Sequence, residues 1–194
     1  MILYCATGNP GKLREFRGAV GMAWQIEPLP ELDRIPAPEE TGLTIEQNAI
    51  LKARYYADYA GDRPLFAEDS GIEVNALGGA PGVYSARFAG SHGDDDANNR
   101  VLLDRLMDAG DRGARYVAVI ALVLPGGELH TFRGTVEGEI APVPRGSGGF
   151  GYDPLFYYPP FGATFAEVPA EQKWNVSHRG RAVEKMMTFL SSSG

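Results

Sequence analysis

The sequence predicts an α/β fold: an elongated mixed β-sheet flanked by helices and bent into two lobes with a central cleft. Three observations predict it. Apolar runs of strand length alternate with stretches of helical periodicity along the whole chain. Two strand-like runs, Tyr116 to Leu124 and Glu128 to Val136, flank Pro125-Gly126-Gly127 and read as a hairpin, which argues against a purely parallel sheet. No repeat and no linker divides the chain, so residues 1–194 are expected to form a single domain.

Taken in order, Ile2 to Ala6 is a short apolar strand that Thr7-Gly8-Asn9-Pro10-Gly11-Lys12 breaks. Leu13, Phe16 and Val20 then recur at helical spacing. Pro28 to Pro38 has no periodicity and reads as a surface loop. Thr44-Ile45-Glu46-Gln47 has capping-box spacing and opens a second helix, with Ile45, Ala49, Ala53 and Tyr56 along one face and Gly61 as its stop. Leu65 to Ala67 is a buried strand ending at Glu68-Asp69-Ser70-Gly71, with Ile72 to Val74 resuming it and a glycine-rich loop, Gly78 to Gly82, following.

Asp94-Asp95-Asp96 precedes a helix carrying Val101, Leu102 and Leu106. These acids suit the positive end of the helix better than they suit a metal. After the hairpin, Gly146-Ser147-Gly148-Gly149 leads into Phe150-Gly151-Tyr152-Asp153-Pro154, and the last helix runs from Arg179 to Leu190 before a serine-rich end that frays.

Composition narrows the functions available. With 44% hydrophobic and 22% charged residues the chain is an ordinary globular one, and a net charge of -7 gives no broad surface for nucleic acid. An anionic ligand would therefore need a local group of cations, backbone N–H groups or a metal. The one cysteine, Cys5, excludes an intrachain disulfide and, set in an apolar run, is expected to be an inert buried thiol. No apolar run approaches the roughly 20 residues of a membrane span. The N-terminus shows no basic leader, so the expected compartment is the cytoplasm, with no membrane partner.

Three clusters can carry chemistry. The turn Thr7 to Lys12 lies between a buried strand and a helix, where N–H groups and the helix dipole suit a phosphate and Lys12 adds a charge; the same residues also make a plain strand–helix turn. Asp69 stands at a strand end where α/β sheets place ligands, and with Glu68, Glu39 and Glu40 offers hard oxygen for Mg²⁺, or it only shapes a turn with Ser70. Because side chains alternate along a strand, Glu68 and Asp69 cannot face the same way. Ser177-His178-Arg179-Gly180-Arg181 opens the last helix, with Lys173 upstream. Ser177 reads as an N-cap, and His178 and Arg179 as donors to a base carbonyl or a phosphate. Three histidines give no metal-ligand spacing, and His92 and His130 read as surface residues. With no nucleophile–base pair in the sequence, metal-assisted attack by water is the expected mechanism.

Together these blocks resemble one family. Thr7-Gly8-Asn9-Pro10-Gly11-Lys12, Glu68-Asp69-Ser70-Gly71, the run Leu77 to Phe88, Gly148 to Pro154 and Ser177-His178-Arg179 are similar, in order, to the signature blocks of the inosine triphosphate pyrophosphatase (Ham1 or RdgB) family. The resemblance implies a homodimer with an active-site cleft and a Mg²⁺-dependent cut between the α and β phosphates of purine nucleoside triphosphates such as ITP, dITP and XTP. It implies that Thr7, Gly8, Asn9, Pro10, Gly11 and Lys12 bind the triphosphate, that Asp69 is the catalytic carboxylate and a metal ligand with Glu40, and that Ser70 touches the substrate. Phe150 would stack on the purine, Gly151, Tyr152 and Asp153 would line the base pocket, and Lys173, His178 and Arg179 would complete it, the last two near the 6-oxo group. The sequence departs from the family pattern at Glu68, where the family often has Asp, and at Trp174-Asn175-Val176, a bulky variant beside Lys173. The competing readings are a pyrophosphatase of the Maf type and a nucleotide-binding module without turnover.

Overall fold

The computed structural model describes residues 1–17 and 24–192. Val20, expected on the first helix, lies outside the described residues.

Seven strands form one sheet in the order β2-β1-β3-β4-β5-β6-β7. They are β1 (Ile2–Cys5), β2 (Gln25–Pro28), β3 (Leu65–Val74), β4 (Gly113–Val123), β5 (Leu129–Ile140), β6 (Phe156–Tyr158) and β7 (Ala163–Thr164). The helices are α1 (Pro10–Arg17), α2 (Ile45–Ala57), α3 (Asp95–Arg105), α4 (Ala170–Trp174) and α5 (His178–Ser192). β1 pairs in parallel with β2 and β3, while β6 pairs antiparallel with β5 and β7, so the sheet is mixed as expected. β4 and β5 are the hairpin read from the sequence, closed by Gly127 N–H donating to the Leu124 carbonyl at 2.9 Å.

The chain forms two compact units. The first comprises 1–69, 118–134 and 179–194; the second comprises 70–117 and 135–178. In the first, Leu3, Cys5, Leu65 and Phe66 are fully buried, and Phe16 of α1 meets Phe66 edge-on at 5.1 Å. α2 begins where its capping signal places it. Thr44 Oγ1 accepts from Gln47 N–H at 3.1 Å, and Gln47 Oε1 accepts from Leu43 N–H at 2.7 Å, so two otherwise unmet backbone donors are satisfied. In the second unit, Ile72, Val74, Leu102, Leu106, Tyr116, Phe156 and Phe165 share one core, with the Tyr116 and Phe156 rings 4.5 Å apart.

β3 corrects the sequence reading. It does not end at Glu68 and resume at Ile72 but runs unbroken from Leu65 to Val74, so Asp69 stands inside the strand rather than at its end. A buried strand tolerates two consecutive carboxylates only when each meets a cation, which periodicity cannot reveal. Pro28 to Pro38 is likewise not all loop: β2 ends at Pro28, Leu29 is buried, and Leu32–Arg34 form a 3-10 turn. β6, β7 and α4 were not expected because two to five residues carry no readable period.

Within β3, Gly71 has no room for a side chain: a Cβ there would lie 2.3 Å from the Gly82 carbonyl oxygen and 2.8 Å from Ser85 Oγ. Gly71→Ala should therefore cost about 1–3 kcal/mol of stability through overpacking, read as a shift in the urea unfolding midpoint.

Candidate active site

In the first unit, the alternation of β3 sends its two carboxylates to different partners. The Glu68 side chain is fully buried. Its Oε2 lies 2.6 Å from Lys12 Nζ and its Oε1 lies 3.3 Å from Arg179 Nε. Arg179, itself buried, also bonds through Nη1 to Glu15 of α1. A buried carboxylate between two cations keeps its charge because both supply what lost water no longer does. Beneath this network the Cys5 thiol is pushed well up by burial first and by the Glu68 charge second.

Asp69 joins a second network. Lys52 Nζ stands 2.7 Å from Asp69 Oδ1 and 2.8 Å from Glu40 Oε1, so one ammonium lies between two carboxylates. Burial raises the Asp69 pKa above the ordinary carboxylate value, although Lys52 and Lys12 pull it down. Burial also opposes charge on Lys52, yet Asp69 and Glu40 outweigh it and raise the ammonium's pKa. Among the described residues no three His, Cys, Asp or Glu side chains converge as a metal-binding group.

The glycine turn is organised from within. Asn9 Oδ1 accepts the N–H groups of Gly11 at 2.8 Å and Lys12 at 3.1 Å, and Thr7 Oγ1 accepts from Asn9 N–H at 3.2 Å. The N–H groups that the sequence reading aimed at a phosphate are thus held by Asn9 at the start of α1, in the manner of an N-cap. Lys12 extends from this turn, which fixes where its charge can act.

In the second unit the residues of Gly149 to Asp153 form a tight turn. Asp153 Oδ2 accepts from Phe150 N–H at 2.9 Å and lies 2.5 Å from Lys173 Nζ, both side chains being buried. Gly149 has φ +71°, and a Cβ there would stand 2.0 Å from that same oxygen, so only glycine lets the carboxylate fold under the turn. Lys173 Nζ also sits 5.2 Å from the Phe150 ring centroid, a cation–π contact. The Tyr152 hydroxyl, its pKa raised by burial, donates to the Ser85 carbonyl at 2.8 Å. His178 stacks on Tyr116 with ring centroids 4.5 Å apart and nearly parallel.

The residues singled out from the sequence therefore gather into two groups. Thr7–Lys12, Glu40, Asp69 and Arg179 belong to the first unit; Ser70, Phe150–Asp153, Lys173 and His178 belong to the second. The chain passes from one group to the other across the peptides Asp69–Ser70 and His178–Arg179. Glu68, given only a supporting place by the sequence, is the hub of the first network. Lys52, Glu15 and Tyr116 were missed. A lysine on an amphipathic helix reads as solvated, and nothing local marks Lys52; Glu15, three residues after Lys12 on α1, carried the one usable signal, a shared helix face. Ser177 directly precedes α5, where its Oγ donates to the Trp174 carbonyl at 3.3 Å. His92 is exposed as read, but His130 is partly buried, 4.2 Å from the Phe189 ring.

The first unit thus holds a lysine and an arginine fixed by a buried acid and two carboxylates around one ammonium, and the second holds an aromatic ring on a tight turn. Comparison with known proteins names the class. The Ham1 family profile matches residues 3–189, and this chain belongs to that family. It is 49% identical over 187 residues to a dITP/XTP pyrophosphatase of an Exiguobacterium species, covering 96% of this chain and 95% of the relative. A dITP/XTP pyrophosphatase of Acidobacterium capsulatum is 48% identical, with 98% of each chain covered. The structure of the Staphylococcus aureus Ham1 protein superposes with a TM-score of 0.89 at 41% identity over the full length of both chains.

Removing the Lys52 ammonium should leave Glu40 and Asp69 facing each other without a counter-charge. Lys52→Met is expected to lose about 3 kcal/mol at pH 7. The sign follows from the carboxylates. The Asp69 pKa, already raised by burial, rises further in the folded variant, so the folded state gains protons relative to the unfolded one, and the deficit shrinks as pH falls toward the acid range. Urea unfolding of both proteins at pH 7 and pH 5 checks it.

Proposed function

We propose that this protein hydrolyses non-canonical purine nucleoside triphosphates, ITP, dITP and XTP, to the nucleoside monophosphate and pyrophosphate, and so keeps these bases out of nucleic acids. The observation that carries the reading is Asp69: a buried carboxylate inside β3, raised in pKa and held at 2.7 Å by the Lys52 ammonium, which also meets Glu40 at 2.8 Å. A carboxylate whose pKa burial has raised above the ordinary value is a better base, suited to take a proton from water.

In this reading water attacks the α-phosphorus, its proton passes to Asp69, and the bond from the α-phosphorus to the bridging oxygen breaks, releasing pyrophosphate. Lys12, kept in place by Glu68, and the turn from Thr7 to Gly11 bind the triphosphate, and Ser70 contacts it. Phe150 stacks on the purine, Gly151, Tyr152 and Asp153 line its pocket with Lys173, and His178 and Arg179 direct donors to the 6-oxo group. Such donors pair with the keto group of hypoxanthine or xanthine but oppose the 6-amino group of adenine, a mismatch on the order of 10⁴ in rate.

The donor set fits magnesium. Glu40 and Asp69 already converge on one ammonium at 2.8 and 2.7 Å, and Mg²⁺ is commonly held by one or two carboxylates with phosphate oxygens completing its shell. Glu40 and Asp69 would hold it, and when bound it supplies positive charge that polarises the phosphoryl group.

Two outcomes test the reading. Asp69→Asn should retain nucleotide binding by calorimetry while kcat for inosine triphosphate falls by about a thousandfold or more; hydrolysis at the parental rate overturns Asp69 as the base. Across a panel of nucleoside triphosphates with pyrophosphate detection, turnover should favour inosine and xanthosine over adenosine, guanosine and pyrimidine forms. It should also stop on chelation with EDTA and return with Mg²⁺. A pyrimidine preference would support the Maf-type alternative instead.

A further inference from the structure

Three acids open α3: Asp94 caps the helix, accepting from Ala97 N–H at 2.9 Å, and Asp95 and Asp96 lie in its first turn. Asp95 does something else. Its Oδ2 accepts from Gly151 N–H at 2.7 Å, 56 residues further along the chain. One helical turn on, Asn99 Nδ2 donates to the carbonyl of the same glycine at 2.9 Å. Residues four apart lie on one helix face, so α3 grips both backbone polar groups of Gly151 at once.

We infer that Asp95 and Asn99 are positioning residues that clamp Gly151 from both of its backbone polar groups and thereby fix the Phe150–Asp153 turn for recognition of the purine. The inference rests on the reading of that turn as the base-binding element. Gly151 has φ +65°, and among the described residues nothing lies within 4 Å of where its Cβ would stand. The far end of the turn is fixed in the unit's core, where the Tyr152 hydroxyl donates to the Ser85 carbonyl at 2.8 Å and Asp153 pairs with Lys173, and its internal bonds, Phe150 N–H to Asp153 Oδ2 and Asp153 N–H to the Phe150 carbonyl at 3.3 Å, close it on itself. The clamp adds a hold at Gly151, the residue next to Phe150.

α3 is a firm support. Leu102 is fully buried in the core, and Asn98 accepts from Ala89 N–H at 2.8 Å, so the helix is held independently of Asp95 and Asn99. Asn99 also carries a cost that a packing role would not require. Its buried Oδ1 meets no hydrogen-bond donor among the described residues. A buried acceptor left unmet is unfavourable, and an apolar residue of similar size would avoid it, so the donation from Nδ2 to Gly151 is what the carboxamide contributes.

The experiment measures KM and kcat for inosine triphosphate, inhibition by inorganic tripolyphosphate, which has no base, and the melting temperature. Asp95→Ala and Asn99→Ala should each raise KM about tenfold, with kcat and tripolyphosphate inhibition unchanged. Asp95→Asn should restore the parental KM, because an amide oxygen accepts the same N–H, whereas Asn99→Asp should not, because a carboxylate cannot donate to the Gly151 carbonyl. Should the alanine variants fail to fold, this second pair decides alone: a raised KM for Asn99→Asp beside a parental one for Asp95→Asn supports the clamp, and equal values overturn it. Parental KM in folded alanine variants also overturns it, as does weakened tripolyphosphate inhibition in step with KM. Phe150→Ala is measured in parallel. A raised KM there with unchanged clamp variants overturns the clamp alone, while an unchanged KM for Phe150→Ala overturns the base-binding reading and the clamp with it.

Discussion

The first unit depends on the desolvation of Glu68. A carboxylate with no exposed surface, inside a buried strand, is tolerable only if cations replace the water it has lost. Lys12 and Arg179 do so, and each is thereby committed to one place: the lysine at the end of the glycine turn, the arginine at the start of α5. Glu15 then meets the guanidinium that Glu68 alone would leave partly unsatisfied. An apolar residue at Glu68 would spare the desolvation, but it would release the two cations that the site needs fixed.

The second unit solves a parallel problem with a different geometry. Asp153 is buried with Lys173 and folds back on its own turn, so one carboxylate both balances a charge and shapes the backbone that carries Phe150. The positive φ of Gly149 and the closeness of its absent Cβ to Asp153 belong to the same arrangement. Both units thus use a buried acid to immobilise a basic side chain.

How much of this was legible in the sequence followed physical range. The Thr44 cap, the α2 face and the central hairpin were readable because their causes are local: a cap three residues long, a period of 3.6, a Pro-Gly-Gly turn. β3 was not, because its continuity through Glu68 and Asp69 is permitted by lysines and an arginine supplied from α1, α2 and α5. Lys12, Asp69 and Lys173 stood out by their places at a glycine turn, in an apolar strand and just before the last helix, whereas the Phe150 turn stood out through motif resemblance. Lys52 and the Asp95–Asn99 pair did not stand out, since their partners lie 17, 56 and 52 residues away and no local pattern announces a contact of that length.

The placing of Cys5 carries a consequence of another kind. Thiols react as thiolates, and oxidants, alkylating agents and soft metals all require the deprotonated sulfur. Here the sulfur is enclosed and the negative charge of Glu68 lies close enough to hold its proton on. Burial first, and the acid's charge second, keep the one cysteine of the chain in its unreactive thiol form. Burial does most of this, and the charge that fixes Lys12 and Arg179 adds to it, so one buried acid both orders two cations and keeps a nearby thiol protonated.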